Sequence, residues 1–102
     1  MINVRTMRKL TNNGGLTLKD GHIITYKSGY QVADCGVEAA TPEAAMQAVK
    51  LYKGSCGIWY SEGVYYVDHS FRVSTKKEAL RIGREYNQIS VLKWSTMELV
   101  YC

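Results

Sequence analysis

The sequence predicts an α+β fold of the ferredoxin-like type. It reads β-α-β-β-α-β, an antiparallel sheet with two helices on one face, preceded by an N-terminal β-hairpin. Three observations predict it. Gly63–Val73 is a long proline-free run rich in aromatic and β-branched residues, as a central strand requires. Two stretches carry helix-start signals at Thr41 and Thr75. The third is a repeat: residues 29–61 laid over 63–95 match Gly29 with Gly63, Asp34 with Asp68, Thr41 with Thr75, Ala45 with Ala79, Tyr52 with Tyr86 and Ser61 with Ser95. Apolar positions match as well, including Val37 with Phe71, Met46 with Leu80 and Tyr60 with Trp94. Two β-α-β units are too few to stack as a solenoid, so a compact sheet is expected.

Residues 1–13 fit a strand or a short helix through Ile2, Val4 and Met7. Asn12-Asn13-Gly14-Gly15 breaks the chain. Leu16–Tyr26 then places Asp20-Gly21 between two apolar alternating runs, a hairpin signal, because the tight turn needs positive φ. The first unit begins with a strand at 30–39. Thr41-Pro42-Glu43 supplies an N-cap, a proline in the first turn and an acid at the positive helix end. Ala45, Ala48, Val49 and Tyr52 recur at helical spacing, and Gly54 is the expected stop. Gly57–Tyr60 is the next strand, and Ser61-Glu62-Gly63 a short turn. In the second unit Thr75-Lys76-Lys77-Glu78 is a capping box. Ala79, Ile82, Gly83 and Tyr86 form the buried stripe, with Asn87 as a left-handed cap. Ile89–Trp94 is the last predicted strand. The expected organisation is one domain over 1–102, with a basic arm and hairpin (1–28), two β-α-β units (29–96) and a tail (97–102).

Alternation along the two central strands assigns faces. Tyr65, Val67, His69, Phe71 and Val73 are expected under the helices, with Cys35 in the same core. Tyr30, Val32, Asp34 and Glu38, with Val64, Tyr66, Asp68, Ser70 and Arg72, are expected on the opposite, open face.

Composition narrows the function classes. No apolar run reaches the roughly 18 residues of a membrane span, and the N-terminus has no apolar signal core, so a cytoplasmic protein is expected. Cys35, Cys56 and Cys102 are odd in number and widely spaced. That pattern disfavours a disulfide framework and a structural zinc site. The net charge of +4 lies wholly before residue 29. There Arg5, Arg8, Lys9, Lys19 and Lys27 oppose Asp20 alone. Such an arm can attract nucleic acid or an acidic protein surface.

Candidate residues fall into two sets. An interface would use Trp59 or Tyr60, types enriched at binding hot spots, with Lys76, Lys77, Arg81 and Arg84 of the second helix. A nucleic-acid module would use Arg5, Arg8 and Lys9 of the arm, with Tyr30, Tyr66 and Arg72 on the open sheet. Glu62–His69 matches only the glycine, one aromatic and the valine of an RNA-recognition-motif signature. The pairs Asp34/Asp68 and Cys35/His69 match across the repeat. Carboxylate pairs need a cleft to work as acid and base, and a core cysteine behaves as a small apolar residue. No catalytic residue, metal ligand or cofactor is therefore expected.

Gly57–Asp68 followed by Thr75–Gln88 resembles small proteins encoded by bacteriophages, prophages and plasmids. The shared features are a Val64-Tyr65-Tyr66-Val67-Asp68-type strand and an Arg84-Glu85-Tyr86-Asn87-Gln88-type helix end, and the likeness covers residues ~56–94. It implies an accessory protein of a mobile element, of the kind that in some cases blocks host defences such as CRISPR. The leading expectation is thus a non-enzymatic inhibitor in the cytoplasm of a bacterial host. It would bind a host protein or nucleoprotein complex by occupying a surface. The alternative is the small nucleic-acid-binding module.

Overall fold

The computed structural model describes residues 3–11, 15–52 and 55–102. It contains α1 (Val4–Thr11), β1 (Gly15–Lys19), β2 (His22–Ile23), β3 (Tyr30–Ala39), α2 (Pro42–Leu51), β4 (Ser55–Ser61), β5 (Val64–Val73), α3 (Lys76–Glu85), β6 (Ser90–Lys93) and β7 (Glu98–Tyr101). The expected ferredoxin-like fold, with a four-stranded sheet and two helices, is corrected by this inventory. Among the described residues there are seven strands and three helices. α1 is the added helix, and two segments account for the added strands. The β1–β2 hairpin pairs edge-on with β4 in the register Leu16↔Ile58 and Leu18↔Cys56, so it extends the sheet. The expected tail is a strand, β7, paired with β6 through Val91↔Val100 and Leu92↔Leu99.

The chain divides into two compact units, residues 1–24 with 36–69, and residues 25–35 with 70–102. β3 and β5 each contribute to both.

In the first unit the hydrogen-bonded strand order is β2-β1-β4-β5-β3. Both hairpins turn on paired left-handed residues. Asp20 (φ 52°) and Gly21 (φ 80°) join β1 to β2; Glu62 (φ 50°) and Gly63 (φ 82°) join β4 to β5. That is the geometry two-residue hairpin loops favour. α1 starts where Asn3 Oδ1 accepts the N–H of Thr6 at 2.8 Å, an N-cap. Its 4/7/11 stripe faces inward: Met7 is fully buried, and Thr11 Oγ1 donates to the Met7 carbonyl at 2.8 Å. α2 starts at Thr41, whose hydroxyl accepts the N–H of Ala44 at 3.1 Å. Ala45, Met46, Ala48 and Val49 of α2 pack with Met7, Leu18, Ala39, Cys56, Ile58, Tyr65 and Val67 in one cluster. The Asn12-Asn13-Gly14 break, Ile2 and the Gly54 helix stop lie outside the described residues.

In the second unit the order is β5-β3-β6-β7. Thr75 Oγ1 caps α3 by accepting the N–H of Glu78 at 3.2 Å. Asn87 (φ 56°) closes the helix in the left-handed region, and the N–H of Gln88 reaches the Gly83 carbonyl at 2.7 Å. Ala79 and Ile82 pack with Val32 and Val91, joined by Tyr30, Phe71, Val73, Leu80 and Val100. Tyr30 and Val32 therefore serve this core and are not on an open face. Away from it, Trp94 Nε1–H donates to Gln31 Oε1 (3.2 Å), and Gln31 Nε2–H donates to Ser70 Oγ (3.1 Å), all three residues buried. The loop before β3 lies against this network. Tyr26 meets the Trp94 ring edge-on at 5.5 Å, and the Arg72 guanidinium sits 5.6 Å from the Tyr26 ring centroid while donating to Ser28 O and Oγ. Gly29 (φ 85°) is required here, since a Cβ would come within 2.7 Å of the Val73 carbonyl. Gln31→Ala would leave the buried indole N–H without this partner. A loss of about 1–3 kcal/mol in urea unfolding is expected, and a loss under 0.5 kcal/mol would contradict the network's role.

Candidate functional site

Strand alternation in the first unit separates two faces. Leu18, Cys56, Ile58, Tyr65 and Val67 face α1 and α2. The other face is built rung by rung. Gly15, Trp59 and Tyr66 lie opposite one another across β1, β4 and β5; Thr17, Gly57 and Asp68 form the next rung. On β3, a Cβ placed on Gly36 would lie 3.2 Å from Asp68 Cβ, so Gly36 belongs to the second rung. Glu38, two residues on and opposite in parity to the buried Ala39, falls beside Tyr66. Among the described residues of this unit, no helix packs on that face.

Trp59 is the centre of this surface. Its ring stacks on Tyr66 with centroids 4.3 Å apart and planes 16° from parallel, yet it stays 45% exposed. Gly15 approaches Trp59 closely, since a Cβ there would meet the Ile58 carbonyl at 3.1 Å and Trp59 Cβ at 3.3 Å. Gly57 and Gly36 leave the ground around Asp68 low, and the Gly57 N–H donates to Asp68 Oδ1 at 3.2 Å.

The other residues expected at an interface or on nucleic acid are dispersed. Tyr60 points to the helix side, tilted against Tyr65 at 4.7 Å. Adjacent Trp59 and Tyr60 thus cannot share one flat contact surface. Arg5, Arg8 and Lys9 form an i, i+3, i+4 stripe on the exposed side of α1, on the helix side of the unit and away from Tyr66. Arg72 is engaged with Ser28 and Tyr26. On α3, Lys76, Lys77, Arg81 and Arg84 are exposed, but Arg81 bridges Glu78 and Glu85 within its own helix. That pairing holds the Glu78 carboxyl below its ordinary range and raises the Arg81 guanidinium. Cys35 is exposed, which corrects its expected place in the core; β3 does not alternate uniformly from Tyr30 to Ala39. His69 is half-buried, its ring 6.1 Å from that of Tyr52.

Cys56 is buried, and burial together with the nearby Asp68 charge pushes its thiol up from 9.0 to about 11. A thiol so raised and enclosed is a poor nucleophile. At pH 8, Cys35 and Cys102 should react with a maleimide well before Cys56, with the order read by peptide mass spectrometry. The same shift favours the folded state below pH 9. That contribution should fade between pH 9 and about 11, as the unfolded thiol ionises first and the folded one follows. Rapid native alkylation of Cys56 at pH 8 would contradict its enclosure.

No known protein family, curated protein or solved structure matches this chain in the three comparisons made. No helix among the described residues is long and apolar enough to cross a membrane.

Proposed function

We propose that this chain is a non-enzymatic binding protein that acts by occupying a partner's surface, with the stacked Trp59–Tyr66 pair as its anchor. The observation that carries this reading is an exposed tryptophan already held flat against a tyrosine. A side chain fixed before binding loses little rotamer entropy on contact, and aromatic anchors dominate interface energetics. The setting, inhibition of a host defence complex in a bacterial cytoplasm, rests on the likeness of residues 56–94 to mobile-element proteins. The test is a phage-challenge assay in bacteria expressing the protein, followed by titration of the purified defence complex. Inhibition should saturate near stoichiometric amounts and be reversible on dilution. Time-dependent inactivation by far less than one equivalent would mean turnover, and the reading would fall.

A second reading, nucleic-acid binding, is favoured by a different surface, the Arg5/Arg8/Lys9 stripe of α1. Duplex DNA affinity would then fall with salt at a log–log slope of about −0.9 per phosphate contacted. Arg5→Ala with Arg8→Ala should flatten the slope. Binding that ignores both salt and these substitutions would remove it.

A further inference from the structure

We infer that the Trp59–Tyr66 face recognises an arginine side chain presented by a partner protein, with the guanidinium stacked on the outer ring face of Tyr66, the face turned away from Trp59, and paired with Asp68 and Glu38. The inference rests on the binding reading above and names the chemistry of its partner.

Three observations within the first unit, with one general property of aromatic rings, lead to it. The aromatic pair is exposed and preorganised. Ring faces are the negative side of the aromatic quadrupole, so they attract cations. The neighbours of Tyr66 reinforce that sign: Asp68 lies two residues along the same strand, a rise of about 7 Å, and Glu38 lies across on β3. Last, Gly57 and Gly36 flank Asp68, so neither of these cross-strand neighbours sets a side chain beside it. Asp68 already accepts the Gly57 N–H, which orients it; a carboxylate has room for several donors.

Local charge decides against a phosphate ligand. The one base on this side of β1, Lys19, sits opposite Ser55, two rungs from the Trp59–Tyr66 pair. Phosphate would meet two carboxylates and the outer ring face of Tyr66. Arginine is favoured over lysine by shape. Its planar fork can stack on a ring and still donate in-plane to a carboxylate, whereas an ammonium is a compact, strongly hydrated point charge.

The test is a 15N NMR titration of the intact protein, following the Trp59 indole N–H, with Trp94 as the buried control. The probes are a hexa-arginine peptide, the matching hexa-citrulline and hexa-lysine peptides, and a six-nucleotide single-stranded DNA. Hexa-arginine should shift the Trp59 signal saturably and at least ten-fold more tightly than hexa-citrulline. Asp68→Asn and Glu38→Gln should each weaken it several-fold while leaving the Trp94 signal in place. A variant that loses the Trp94 dispersion is unfolded, and Glu38→Gln, exposed on β3, then decides alone. Equal binding of arginine and citrulline peptides, or tighter binding of the oligonucleotide, would overturn arginine recognition while leaving the Trp59 surface a binding site. No response at Trp59 to any probe would overturn arginine recognition too. In that case the stoichiometric inhibition assay separately decides whether the chain is a binding protein at all.

Discussion

Trp59→Ala should weaken binding to the partner by about 30-fold or more, the ~2 kcal/mol or greater loss typical of a truncated hot-spot aromatic. It is the largest single effect expected on function. The cause is local: the indole is 45% exposed and positioned by Tyr66 at 4.3 Å. Its removal takes away the anchor and frees the tyrosine. Folding should suffer far less. What is lost is one stacked pair, worth about 0.5–1.5 kcal/mol beyond its burial. Single changes at Lys76, Lys77 or Arg84 on α3 should each matter less, because single exposed charges act mainly on association rate. Arg81→Ala should matter little as well, since its guanidinium is already satisfied by Glu78 and Glu85. Binding measured by calorimetry on folded variants separates these outcomes. A Trp59→Ala loss smaller than that of any α3 charge would move the interface to the helix.

Ile58→Ala, one residue earlier, should do the reverse. Ile58 is 1% exposed and lies in the cluster formed by α1, α2 and the inner face of β1, β4 and β5. Truncating a core isoleucine costs about 2–5 kcal/mol, the spread set by how far the site can collapse. Urea unfolding should show that loss, with partner affinity unchanged for the fraction that remains folded. The contrast between neighbours follows from strand alternation alone. If both substitutions cost similar stability, the two-faced description of the first unit is wrong.

How much of this could be read from the residues differs by element. Local signals were legible. Tyr86, expected in the buried stripe of α3, lies exposed at its end, but Thr41 and Thr75 cap their helices, and Asp20-Gly21 and Glu62-Gly63 turn their hairpins. These features depend on a few neighbouring residues, so sequence reports them directly. What failed was non-local. Nothing in Leu16–Ile23 says whether a hairpin covers a sheet face or joins its edge; that is decided by pairing with β4, a distant segment. β7 has a local signal of its own, since Leu99-Val100-Tyr101 is an apolar run with a β-branched and an aromatic residue, and Met97 takes φ 59° before it. Strict alternation along β3 misplaced Tyr30, Val32 and Cys35, because Val32 packs on α3 while Ala39 joins the cluster under α2. The aromatic pair was half legible. Trp59 and Tyr66 were each singled out, but for different functions, and their stacking depends on the β4–β5 register.

Site-specific photo-crosslinking in the producing cell tests the central claim most directly. A benzophenone amino acid at Ser61 lies on the Trp59 face, two residues along β4; one at Gln47 lies on the exposed side of α2. Ultraviolet exposure should give one dominant protein adduct from Ser61 and none from Gln47. Adding Trp59→Ala to the Ser61 variant should abolish the adduct. An adduct from Gln47 alone, or a Ser61 adduct indifferent to Trp59, would contradict the account.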